Sequence, residues 1–109
     1  MSEFVDFLNE VFIEFGELNS KRMFGGHGIY HQGLMIALVA DDELYLKVDR
    51  LTISEFLAAG SSPFENDKNG KLIKMSYYQA PEEIFDDPEL ANKWAQLAFE
   101  AATRNAASK

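Results

Sequence analysis

Leu34-Met35-Ile36-Ala37-Leu38-Val39-Ala40, Asp41-Asp42 and Glu43-Leu44-Tyr45-Leu46-Lys47-Val48 form the stretch that decides the fold. The first run is apolar on both alternating sets of positions, the pattern of a central strand covered on both faces. The last run alternates, and its Leu44, Leu46 and Val48 share the side expected to face a core. Two aspartates between them suffice for a tight turn, which makes the strands antiparallel neighbours. Upstream, Gly28-Ile29-Tyr30 precedes a turn at His31-Gln32-Gly33. Lys21 to Asp49 thus reads as a three-strand antiparallel meander.

Working outward, the period changes on both sides. Phe4, Leu8, Val11, Phe15 and Leu18 recur at helical spacing, widened by Val5 and Phe12, and acids at 3, 6, 10, 14 and 17 line the opposite face. Ser2 is the expected cap, and Asn19-Ser20 ends the pattern. After the meander, Thr52-Ile53-Ser54-Glu55 has capping-box spacing, and Gly60 suits the end of a short helix. Pro63-Phe64-Glu65 and Lys71 to Tyr78 form a second hairpin turned at Asn69-Gly70. Asp87-Pro88 opens the last helix. Its expected buried stripe is Leu90, Trp94, Leu97, Ala98 and Ala101. A shallower face of Ala91, Ala95, Phe99 and Ala102 is left to meet either another subunit or the rest of the chain. The fold class is α+β: an antiparallel sheet of about five strands, meander plus hairpin, in the order α-β-β-β-α-β-β-α.

At 109 residues and 47% hydrophobic, the chain is expected to be a single domain over 1–109 with a real core. The absence of cysteine excludes disulfides and thiolate metal sites, and fits a cytoplasmic location. The acidic start is unlike a signal peptide, and the longest apolar run is too short to span a bilayer. A formal charge of −8 argues against nucleic acid or membrane as partner. Lys68, Lys71 and Lys74 are the best candidates for a local basic patch, with Glu65 and Asp67 beside them.

Catalytic and metal chemistry find little support. His27 and His31 sit among glycines rather than on a helix, so a clasped metal is not expected. The glycines of Gly25-Gly26-His27-Gly28 feed a strand with no Gly-Lys-Ser/Thr behind them, unlike a phosphate loop. They suit positive φ, a bulge, or a close approach of the backbone to something packed above. No Gly-x-Ser-x-Gly elbow occurs, and Asp41-Asp42, Glu82-Glu83 and Asp86-Asp87 lie where turns and helix starts want acids. The chain is therefore expected to be no enzyme and to carry no cofactor. Of Tyr77-Tyr78, one side chain should point inward and the other outward, near Lys47 or Arg22.

Arg22-Met23-Phe24-Gly25-Gly26-His27-Gly28-Ile29-Tyr30, Ala37-Leu38-Val39, Leu44-Tyr45-Leu46-Lys47, Met75-Ser76-Tyr77-Tyr78, Pro81-Glu82-Glu83 and Trp94 together resemble the TfoX (Sxy) N-terminal domain family, in order and spacing from about Lys21 to Ala101. The resemblance implies a bacterial relative of regulators of natural competence, which act with the cyclic-AMP receptor protein at promoters. It also implies a fold like that of type III secretion chaperones, and with it a homodimer. Regulators of the family carry a second, C-terminal domain that is not expected within these residues. The leading expectation is a non-enzymatic regulatory module that binds a protein such as a transcription factor or polymerase component. The alternative is a chaperone-like domain for a small ligand or peptide. Candidate binding residues are Arg22, Phe24, Gly25, Gly26, Gly28, Tyr30, Lys47, Tyr77 and Tyr78.

Overall fold

The computed structural model describes residues 3–23, 26–68 and 71–108, with side chains described for all of these except 66–68 and 71–74. Ser2, Phe24, Gly25 and the Asn69-Gly70 turn, together with the side chains of Lys68, Lys71 and Lys74, thus lie outside what is described.

Helix α1 runs Glu3–Val11 and buries Val5, Leu8 and Val11. It stops earlier than the apolar spacing suggests. Phe15 and Gly16 both donate their backbone N–H to the Phe12 carbonyl, which tightens the last turn, and Gly16 adopts φ +139°. Freed of the helix, Asn19–Met23 forms β1. Strands β2 (Gly26–His31), β3 (Leu34–Ala40) and β4 (Glu43–Lys47) follow as the expected meander. After helix α2 (Ile53–Ala58) come β5 (Pro63–Lys68) and β6 (Lys71–Gln79), a short 3-10 helix at Glu82–Asp86, and helix α3 (Pro88–Ala107).

Among the described residues these strands form a six-stranded sheet in the order β1-β2-β3-β4-β6-β5, with every described pairing antiparallel. The sixth strand is β1, an edge strand whose residues are mostly exposed and so carry little apolar alternation to mark them. Both meander turns place two residues at positive φ, Gln32-Gly33 at 50° and 82° and Asp41-Asp42 at 52° and 58°. Such turns match the twist of the flanking strands, and a short Asp side chain tolerates the left-handed region better than most.

Register divides the sheet into two faces. One row runs Ser20–Ile29–Ala37–Leu46–Tyr78–Pro63 across all six strands. Onto this face pack Leu8, Val11 and Phe12, Phe56 of α2, and Trp94, Ala95 and Ala98 of α3, in one core. Phe56 meets Trp94 edge-on at 4.7 Å between ring centroids and Tyr78 at 6.3 Å. In α3 Trp94, Ala98 and Ala101 of the expected stripe are buried together with Ala91, Ala95 and Ala102 of the shallower face, while Leu90, Leu97 and Phe99 are only half-buried. The alanine face therefore meets the rest of this chain. Small side chains let the helix backbone come close to the sheet, where larger residues would hold it off.

Helix ends follow local chemistry. Asp87 accepts from the N–H groups of Glu89 and Leu90 at 3.1 Å each, with Pro88 next in line, a cap worth about 1 kcal/mol. Gly60, at φ +81°, lets its own N–H and that of Ser61 close back on Leu57 and Phe56. The capping box at Thr52 does not form. Thr52 already has helical angles, its hydroxyl accepts from Asp49 N–H at 3.1 Å, and Glu55 instead pairs with Lys93 of α3 at 3.7 Å. Asp49 supplies the cap, its Oδ1 accepting from Leu51 N–H and Thr52 N–H at 3.0 and 3.2 Å.

Candidate functional site: the outer face of the sheet

Opposite the helices, a second register row runs Lys21–Gly28–Leu38–Tyr45–Gln79, and Lys47 pairs with Tyr77 alongside it. Among the described residues the α-helices feed the core on the other face, and only the last turns of α3, at Ala102, Asn105 and Ala106, share a cleft with Lys47 and Tyr77 on this one. Even so, Leu38 and Tyr77 are only 4% and 8% exposed. Tyr45 meets Phe64 edge-on at 5.0 Å, Lys47 Nζ lies 5.1 Å from the centre of the Tyr77 ring, and Lys21 Nζ lies 5.2 Å from that of Tyr30. The outer face is thus an aromatic and aliphatic layer with ammonium groups resting on it, a geometry in which ring quadrupoles hold the cations.

Two glycines make this layer possible. At Gly28 an added Cβ would come within 3.0 Å of Met23 Sδ and Cε and 3.2 Å of Tyr30 Cε1, so the missing side chain is the space these two occupy. At Gly26 a Cβ would be driven into the Val39 carbonyl oxygen of the neighbouring strand. Neither glycine has positive φ, and the register shift of β2 falls at Ile29/Tyr30. Of the roles open to these glycines, close approach is the one realised.

Electrostatics on this face follow burial. The Tyr77 phenol is pushed up to about 12, first by burial and then by the neighbouring Tyr30. Tyr45 is raised too, by burial and then by Glu43, whose carboxylate accepts from Tyr45 Oη at 3.3 Å and from Gln79 Nε2 at 3.0 Å. Lys47 Nζ donates to Ser76 Oγ at 2.9 Å.

Gly28, Tyr30, Lys47 and Tyr77 are therefore brought together. Arg22 and Tyr78 are not: Arg22 lies in the row of His27, Val39 and Leu44, on the helix side of the exposed edge strand, and Tyr78 points inward to Phe56. Phe24 and Gly25 lie outside the described residues. Tyr77 is the outward tyrosine, but its low exposure makes it a packing residue of the outer face rather than a protruding anchor. Lys21, Leu38, Tyr45 and Phe64 belong to the face although they were not among the candidate binding residues. The alternation of Glu43–Val48 already put Tyr45 beside Lys47, and the doubly apolar β3 required an occupant for Leu38's side.

Other polar groups have structural partners. His31 Nδ1 donates to the Glu17 carbonyl at 2.8 Å, its ring held between Phe15 at 4.4 Å and Phe99 at 5.0 Å. Arg104 forks onto Asp49, Nε to Oδ2 at 2.6 Å and Nη2 to Oδ1 at 3.1 Å, tying the end of α3 to the β4–α2 loop. That fork holds the Asp49 carboxyl below its usual range. Among the described residues no three His, Asp or Glu side chains gather as metal ligands would, and no helix is long and apolar enough to cross a membrane.

These features define a class, an α+β protein with helices on one face of an antiparallel sheet and a self-covered aromatic layer on the other. Within that class the chain belongs to the TfoX N-terminal domain family, whose model matches residues 10–102. It is 29% identical over 97 residues to the DNA transformation protein TfoX1 of Aliivibrio fischeri. The match takes in 85% of this chain and 46% of that relative, so the chain spans about half of the relative's length.

Proposed function

We propose that this chain is a non-enzymatic regulatory module that binds a protein partner through the outer face of its sheet. The observation that carries this reading is the aromatic layer itself: half-buried Tyr45 and Phe64, meeting edge-on over a floor that includes buried Leu38 and Tyr77, on the face opposite the helix-packed core. Aromatic side chains fixed by their neighbours lose little entropy on docking, and the lysines over Tyr30 and Tyr77 supply a polar rim. Membership in the TfoX N-terminal domain family, with a relative named for DNA transformation, supports a partner in competence regulation, such as a transcription factor or polymerase component. The proposal includes a single domain over residues 1–109, a cytoplasmic location and a homodimer. With a formal charge of −8, the contribution to transcription runs through protein contact rather than strong DNA affinity.

The test is affinity capture from a competent bacterial lysate with the native chain, with a Lys21→Glu/Tyr45→Ala double variant, and with a Lys93→Gln control on the helix side. Recovery of a transcription factor or polymerase component that the double variant loses and the control keeps supports the proposal. Equal capture by all three, or tight salt-sensitive binding of the pure chain to duplex DNA, overturns it. Light scattering that shows only monomer at micromolar concentration removes the homodimer alone.

A further inference from the structure

Helix α1 and the 3-10 helix Glu82–Asp86 meet through three phenylalanines. The Phe85 ring lies 6.3 Å from that of Phe7, nearly parallel at 16° between planes, and 6.0 Å from that of Phe4. Val5, Leu8 and Val11 of α1 and Ile84 of the 3-10 helix take the buried positions, which leaves the three rings at the margin of the core as a ridge. Phe4 and Phe85 are half-buried there. Phe7, at 40%, is the one exposed phenylalanine among the described residues.

Phe85 is shared by two clefts. One, of about 150 Å³, has Phe4, Leu44 and Ala80 among its walls, and the other, of about 170 Å³, has Phe7, Val11 and Ile84. Both are smaller than ordinary small-ligand sites, but a cavity of about 150 Å³ holds a benzene ring, so each has room for one side chain. Their rims carry one sign of charge. Asp42, Glu43 and Glu82 line the first cleft and Glu10 the second, and no Lys, Arg or His lines either. Glu3, Asp6, Glu83 and Asp86 are further exposed acids on the same two elements. Among the described residues none of these acids forms an ion pair. Only Glu43 has side-chain donors, the neutral Tyr45 and Gln79. Pinning α1 to the 3-10 helix accounts for Phe4 and Phe85. It does not account for an exposed ring edged by carboxylates that repel one another, a repulsion that a cationic occupant relieves.

We propose that this ridge docks a cationic segment of another protein, with apolar side chains seated in the clefts beside Phe85 and lysines or arginines facing Glu10, Asp42 and Glu82. Charge selects this occupant. Nucleic acid and anionic lipid are repelled by the same acids, and a two-fold contact with a second copy through this ridge would set like charges against each other. The ridge meets the outer face of the sheet only at Glu43 and Gln79, and the proposal does not rest on the role of that face.

The test is fluorescence anisotropy of labelled synthetic peptides titrated with the full chain. One peptide is Lys-rich with a pair of phenylalanines, a second has those phenylalanines replaced by Ser, and a third has its lysines replaced by Glu. The Lys/Phe peptide is expected to bind about tenfold tighter than the Lys/Ser peptide, the gain from filling the clefts, and the Glu/Phe peptide is expected not to bind. Glu10→Gln/Glu82→Gln is expected to weaken the Lys/Phe peptide about fivefold, while Glu55→Gln/Glu100→Gln, the same change of charge on α2 and α3, leaves it unchanged. Phe7→Ser, at an exposed position, should remove most of the advantage over the Lys/Ser peptide with thermal unfolding little altered. Equal weakening by the two charge variants means attraction to the chain as a whole and overturns the proposal, as does equal affinity for the Lys/Phe and Lys/Ser peptides. Self-association that Phe7→Ser abolishes assigns the ridge to a second copy and overturns it too. Loss of the peptide in Lys21→Glu/Tyr45→Ala places binding on the outer face instead, so the two proposals can fail separately.

Discussion

Replacing Tyr77 by Phe tests the account of the outer face most sharply, because its effect should depend on pH. In the folded chain the phenol is pushed up to about 12, against an ordinary value of 10.0. A folded pKa above the unfolded one means that the unfolded chain releases its proton first. Stability from this group is therefore complete below about pH 10 and is lost as pH rises toward 12. Two pKa steps set a ceiling of about 2.7 kcal/mol, and at about pH 11 half of that, roughly 1.4 kcal/mol, should be gone. Solvent at the open edge of the layer screens part of it, so about 0.7–1.4 kcal/mol is the expected loss at that pH. Tyr77→Phe keeps the ring against Leu38's layer and removes the proton. Its stability should match the parent near neutral pH and exceed it at about pH 11 by that amount. Urea unfolding followed by circular dichroism, at steps from about pH 8 to 11, measures the difference. Parallel decline of the two proteins across that range would refute burial as the cause of the shift.

Gly26→Ala should cost at least 1–3 kcal/mol, since the new methyl meets the rigid Val39 carbonyl rather than a yielding side chain; thermal unfolding should fall by about 4 °C or more. Asp42→Gly should raise stability by about 0.5–1 kcal/mol, read from the urea midpoint, because the residue sits at φ 58° where glycine is unstrained. Asp49→Asn should destabilise the chain near neutral pH. Because the native carboxyl is held below its ordinary value of 3.8, the stability it contributes is present above that value and lost as pH falls through the folded one. The gap between Asp49→Asn and parent in acid unfolding should therefore close below about pH 4. Ala98→Leu on the α3 face against the sheet should cost about 1–3 kcal/mol, seen in the same urea series, since the helix there has no room to retreat.

Much of this protein was legible in its residues alone, because the signals are local. Alternation in Glu43–Lys47, doubly apolar Leu34–Ala40 and two-residue turns at Gln32-Gly33 and Asp41-Asp42 specify antiparallel strands by sterics and burial within a few residues of one another. Asp87-Pro88 and Gly60 mark helix ends for the same reason. What escaped depends on partners distant in the chain. Edge strand β1 exists because β2 offers it a ladder, not because Asn19–Met23 has strand-like alternation. Asp49 rather than Thr52 caps α2, with Arg104 holding it from 55 residues away. Only the tertiary structure decided that the alanines of α3 face the sheet, and that Lys47, Tyr77 and Gly28 share one face while Arg22 and Tyr78 take the other. A residue's identity sets what it can touch. Register and helix placement set what it does touch, and those are settled by the whole chain folding at once.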